Sequence, residues 1–141
     1  MMGKSKMHGI AVVLAAGLIA LTAGGDAWAQ GAASAPELSY GTAVLQGLDK
    51  VTARVVEIEA PVGVPVHFGS LEVIARACKK RRPEDQPESA AFLDIWELRP
   101  GAAAAELFRG WMFASSPALS AMEHPVYDVN VLDCRNGGKG R

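Results

Sequence analysis

A chain of 141 residues, half of them apolar, is sized for one domain with a modest core. Its 14 basic and 15 acidic side chains leave a formal charge of −1, and the scattered bases exclude the electrostatic footprint of a nucleic-acid binder. No nucleic-acid partner is therefore expected.

The first nine residues carry Lys4 and Lys6 and no acid, and an apolar run and then DAWAQ follow. This pattern predicts a Sec-type signal peptide over residues 1–29, cut after Ala29, with Ala27 and Ala29 as the small residues before the cut. The apolar run, residues 10–23, is 14 residues long and short of the roughly 20 that cross a bilayer. Stable membrane insertion after cleavage is not expected, and the periplasm is the expected compartment. No twin arginine and no cysteine lies near the cut, which argues against Tat export and lipidation.

The mature chain, residues 30–141, has 12 basic and 14 acidic side chains. Residues 30–39, QGAASAPELS, are small, polar and interrupted by Pro36, so they read as a disordered leader. Residues 40–135 read as a single β-rich domain and residues 136–141 as a flexible tail. Within the domain, apolar runs rich in Val, Ile and Phe are broken by Gly and Pro every 8 to 12 residues. That rhythm predicts a mainly β fold, a small antiparallel sandwich or partly open barrel.

In KVTARVVEIEAP the apolar phase switches between Val55 and Val56, which predicts a bulge there. PVGVP, residues 61–65, reads as a turn. Val64 to Phe68 and Leu71 to Cys78 flank Gly69-Ser70 as a glycine-first hairpin. The four bases Lys79 to Arg82 precede Glu84, Asp85 and Glu88, and read as a solvated hairpin tip whose charges cancel locally rather than as an anion or phospholipid patch. SAAFLDIWE is apolar on both faces, as in a central strand, with Asp94 as a candidate buried carboxylate. AELFRGWMF and PVYDVNVLDC read as the closing strands, the latter with Tyr127, Val129 and Val131 inward. Between them, Ser115 or Ser116 is positioned to cap one short helix that admits Pro117 in its first turn and ends at Pro125, burying Trp111 and Phe113 beneath it.

Cys78 and Cys134, an even pair in an exported chain, are expected to form one disulfide that closes a 57-residue loop. Two buried free thiols are the alternative. No C-x-x-C spacing points to a redox pair.

The segments LDKVTARV, PVGVPVHFGSLEVIARAC, PESAAFLDIWE and GWMFASSPALSAMEHPVYDVNVLDC together resemble the exported alphaproteobacterial family catalogued as domain of unknown function 2155. The likeness covers about residues 40–135 and departs at Asn130, where the family block carries Trp. It implies an exported single-domain protein with paired cysteines and supplies no reaction.

Three candidate chemistries remain. A hydrolase would use Ser115, Ser116 or Ser120 as nucleophile, His124 as base and Asp128 as orienter; Ser120 and His124 form its best pair by spacing. No G-x-S-x-G elbow accompanies them, so capping and packing are the favoured roles. His67, His124, Asp128 and Asp133 lack the paired spacing of a metal site, and no metal or cofactor is expected. The aromatics Phe92, Trp96, Phe108, Trp111, Phe113 and Tyr127 suit the core between two sheets better than a ligand groove. The expected function is that of a non-enzymatic binding or envelope-associated module; the sequence does not name its partner, for which another envelope protein is one candidate.

Overall fold

The computed structural model describes residues 37–137. The predicted signal peptide, residues 30–36 of the predicted leader and residues 138–141 of the predicted tail lie outside them. The described residues form eight strands: β1 Glu37–Tyr40, β2 Thr42–Asp49, β3 Arg54–Pro61, β4 Pro65–Phe68, β5 Leu71–Arg81, β6 Ser89–Glu97, β7 Ala105–Phe113 and β8 Tyr127–Arg135.

The long β5 organises one sheet. It pairs with β1 through Cys78 to Arg81 and with β4 through Leu71 to Ile74 along one edge, and with β6 along the other. β7 then adds to β6, giving five strands; β3, β2 and β8 form a second, three-stranded sheet, and all pairings are antiparallel. The alternation of each strand sends Leu71, Val73, Ala75, Leu93, Ile95 and Met112 inward from the first sheet. Ala43, Leu45, Ala60, Val129 and Val131 meet them from the second. The result is a sandwich, with no closed barrel. Leu45, Leu71, Leu93 and Ile95 are completely buried, and each such side chain contributes about 1.5–3 kcal/mol on leaving water. Cys78 in β5 and Cys134 in β8 are bonded, with their Cα atoms 5.7 Å apart, and this disulfide ties one sheet to the other.

The two predicted turns form as read. Val64 donates its N–H to the Pro61 carbonyl across the PVGVP turn. Gly69 opens the β4–β5 hairpin at φ 58°, a value that disfavours any side chain, and a Cβ there would also strike the Tyr127 ring. The bulge predicted at Val55/Val56 is absent: β3 pairs without interruption from Arg54 to Pro61. The apparent phase switch arises because Lys50 to Ala53 belong to a turn, where the Asp49 carboxylate accepts the N–H groups of Val51 and Thr52. Only Val56, Ile58 and Ala60 then need to face inward. Register shifts occur instead between Val44 and Leu45 against β8, between Ala75 and Ala77 against β6, and between Ile95 and Trp96 against β7.

Three boundaries differ from expectation. β1 begins at Glu37, so the last three residues of the predicted leader are paired to β5. Lys79, Lys80 and Arg81 do not sit at a hairpin tip, because β5 continues through them with β1 and β6 on either side. Distant acids neutralise the lysines, Glu37 for Lys79 and Asp133 for Lys80. The predicted short helix is a four-residue 3-10 turn, Pro117–Ser120, to which Ser116 gives no side-chain cap. Ser115 binds elsewhere: its N–H and hydroxyl both donate to Glu88.

Candidate functional site

The register of β5, β6 and β7 places Phe92, Asp94 and Trp96 of β6 on the side opposite the core, beside Trp111 and Arg109 of β7. Phe113 faces the same way through its pairing with Ala90. Phe92, Trp96, Trp111 and Phe113 are half-buried, and none of them packs against the core cluster, whereas Phe108 and Tyr127 do. The expectation that all six aromatics fill the space between the sheets, with Trp111 and Phe113 under a helical corner, is therefore corrected for four of them. Inward positions in these strands are already taken by Ala91, Leu93, Ile95 and Met112, and strand alternation sends the rings outward.

Asp94 sits at the centre of this outer face. It is buried, as predicted from the sequence, and its two oxygens accept Arg76 Nε at 2.7 Å and Arg109 Nε at 2.8 Å. Burial by itself would raise the Asp94 pKa, but the hydrogen bonds and charges of the two guanidiniums outweigh it and hold the carboxyl below its ordinary value. Both arginines are half-exposed and fixed at Nε by Asp94, and Nη2 of Arg109 also lies 3.5 Å from a Glu106 oxygen. Phe92 meets Trp111 edge to face at 5.6 Å, and the ammonium of Lys79 lies 5.7 Å from the Trp111 ring centre.

Beside Trp111 the face carries a groove. One hollow of about 170 Å³ is bordered by Glu37, Lys79, Ala90, Phe113 and Leu119, and a second of about 190 Å³ shares Glu37, Ala90 and Phe113 and adds Trp111. At one end Glu88 accepts the Ser115 hydroxyl and the N–H groups of Ser115 and Ser89. These bonds overcome the effect of its burial and lower its pKa.

The alternative hydrolase pair, Ser120 and His124, is not assembled. Nδ1 of His124 accepts the N–H groups of Val126 at 3.1 Å and Tyr127 at 3.0 Å, and Nε2 lies 3.1 Å from a Glu97 oxygen. An Nδ1 that accepts twice places the ring proton on Nε2, where it is donated to Glu97. Neither nitrogen is left to take a proton from Ser120, and among the described residues no hydrogen bond joins the two side chains. Asp128 accepts from Asn130 instead of orienting the histidine. His124 is buried, stacked on Tyr127, and Lys50 donates to its carbonyl at 2.6 Å, so its work is to pin the corner that leads into β8. Of the four residues weighed as metal ligands, His67 pairs with Glu72 and Asp133 receives Lys80 and Ser89. Among the described residues, no three His, Cys, Asp or Glu gather to hold a metal ion.

Fold and site together define a disulfide-tied, two-sheet antiparallel sandwich with aromatic side chains on its outer face. The chain belongs to the bacterial family described as uncharacterized protein conserved in bacteria, domain of unknown function 2155, whose model matches residues 43–134. It is 31% identical over 101 residues to an uncharacterized protein of Rickettsia prowazekii (strain Madrid E), a match covering 72% of this chain and 65% of that protein. No solved structure matches.

Proposed function

We propose that this protein is an exported, non-enzymatic binding module of the cell envelope, acting in the periplasm through the outer face of its five-stranded sheet. The observation that carries the reading is the placement of Phe92, Trp96, Trp111 and Phe113 outside the core on one sheet face. Rings left partly exposed outside the core are available to a partner, and apolar side chains set among polar groups, here around the Asp94–Arg76–Arg109 cluster, are how soluble domains present an interaction site. Export is supported by the basic, apolar and small-x-small order of residues 1–29 and by a disulfide, which persists in an oxidising compartment.

Amide chemical-shift mapping of the mature chain against a detergent-solubilised envelope fraction tests the surface. Perturbations clustered on β6 and β7 around Phe92, Trp96, Trp111 and Phe113 are expected. Perturbations confined to the β3-β2-β8 sheet, or none, would overturn the assignment. N-terminal sequencing of protein released by osmotic shock should begin at Gln30; a chain that keeps Met1 and sediments with membranes would replace the periplasmic reading.

A further inference from the structure

We propose that Asn136, followed by Gly137, is a site of spontaneous deamidation, at which the side-chain amide is lost as ammonia and an aspartyl or isoaspartyl residue takes its place. This chemistry needs nothing from the outer face. The chain has two asparagines, Asn130 and Asn136, and the fold treats them oppositely. Asn130 lies inside β8, paired with Gln46; its amide donates to Asp128 at 3.2 Å, and the residue after it is Val131, buried and β-branched. Asn136 is the first residue past the end of β8, and both it and Gly137 are exposed and outside any strand. Among the described residues, no hydrogen bond holds the Asn136 side chain or the Gly137 N–H.

The Gly137 nitrogen attacks the side-chain carbonyl carbon of Asn136. An N–C bond forms, the C–N bond of the carboxamide breaks, and ammonia leaves with the proton of the Gly137 N–H. Water then opens the succinimide at either of its carbonyls, so water is the only co-reactant. Nucleophile and carbonyl carbon belong to neighbouring residues, which supplies proximity at no cost. Ring closure needs the attacking nitrogen to turn onto the side chain, away from the ψ of about +135° that an antiparallel strand imposes. The β8 ladder holds Asn130 against that rotation and the branch of Val131 crowds the nitrogen, whereas Asn136 is past the ladder and Gly137 has no Cβ. The product adds a carboxylate next to Arg135, whose Nη2 already lies 2.7 Å from Glu57 and 3.1 Å from Glu59. The isoaspartyl form routes the main chain through the side-chain carbon, but only beyond the last β8 pair, Arg135 with Thr42, so the sandwich keeps its ladder and its disulfide.

Ageing of the purified protein in mildly alkaline buffer, followed by reduction, cleavage after glutamate and mass spectrometry, tests the proposal; fragment ions between positions 130 and 136 separate the two asparagines. Amide-to-acid conversion at Asn136 is expected at a rate comparable with that of a synthetic peptide of residues 133–141, with Asn130 unchanged. Isoaspartate among the products is read by methyl transfer from S-adenosylmethionine with an isoaspartyl methyltransferase. Gly137→Ala should slow conversion about tenfold or more by crowding the attacking nitrogen. That substitution fits the fold, since Gly137 is not at positive φ and a Cβ there would meet Thr42 Oγ1 at 3.4 Å. Asn136→Gln should abolish the conversion, and aged and fresh protein should share one thermal midpoint. Conversion more than about tenfold slower than in the peptide, conversion at Asn130 as fast as at Asn136, or a rate that Gly137→Ala leaves unchanged would each overturn the site; a lowered midpoint would overturn the intact sandwich.

Discussion

Replacing Asp94 by Asn tests whether the outer face is held in place by one buried carboxylate. Asp94 is 3% exposed and receives one charge-assisted hydrogen bond on each oxygen, from Arg76 at 2.7 Å and Arg109 at 2.8 Å. A hydrogen bond to a charged group contributes about 1.5–3 kcal/mol. Asparagine keeps the shape and one acceptor oxygen, but it turns an amide N–H₂ towards the other guanidinium and removes the charge from both. Since the arginine side chains are 51% and 52% exposed, they recover water when released, which keeps the cost below that of breaking a fully buried pair. A loss of about 2 kcal/mol is expected, which moves a urea midpoint by about 1 M for a domain of this size.

The same substitution carries a signature in acid. The folded-state pKa of Asp94 lies below its ordinary value of 3.8, so the stability from this carboxylate is present above that value and is lost as pH falls through the lower folded one. Asp94→Asn has no group to titrate. The midpoint difference between wild type and variant should therefore be full at pH 7 and shrink as pH falls below the ordinary value of 3.8. Glu88, Glu97 and Asp133 are also held below their ordinary values, so both proteins weaken in acid, and the difference isolates Asp94. Equal midpoints at pH 7, or a difference that stays constant into acid, would refute the role given to this residue.

Urea melts of further variants separate core, corner and surface. Trp111→Ala should cost about 1–2 kcal/mol, because the ring is half-buried outside the core, whereas Leu93→Ala at the centre of β6 should cost about 3–4 kcal/mol; equal losses would place Trp111 in the core after all. His124→Ala leaves the Val126 and Tyr127 N–H groups without their acceptor and Glu97 with Arg99 alone, and should destabilise by about 3 kcal/mol, while Ser120→Ala on the 3-10 turn should stay within about 0.5 kcal/mol. Changing Cys78 and Cys134 together to Ser should lower stability by on the order of 4 kcal/mol through the freed loop, a loss that chain-entropy reasoning would not survive if the midpoint stayed put.

How much of this was legible beforehand differs between elements for physical reasons. Turns announced themselves, since Gly69 at positive φ and the two prolines around Gly63 act through their own backbones. Strands β6, β7 and β8 were readable because alternation is a local property. Asp94 could be picked out as a buried carboxylate from its place between two rings. Its partners could not, because Arg76 reaches it from a register shift in β5 and Arg109 from the next strand. A local reading also failed for Val51 to Ala53, where the Asp49 side chain claims the backbone for a turn, and for Lys79 to Arg81, whose neighbours in sequence suggested a loop.

By itself, then, the amino-acid order determined an antiparallel β fold, the PVGVP and Gly69-Ser70 turns, the expectation of a Cys78–Cys134 bond, and the family. Only the tertiary structure decided which side of a strand is the inside. Phe92, Trp96 and Trp111 alternate with residues as apolar as themselves, so period 2 divides β6 and β7 into two faces without labelling either. The second sheet labels them by packing Leu45, Val129 and Val131 against Leu93 and Ile95, which fills one face and leaves the aromatic one to solvent. The fate of His124 was settled in the same way. Proximity to Ser120 in the chain offered a base for a nucleophile, but the fold brought Glu97 and two backbone N–H groups to its nitrogens first.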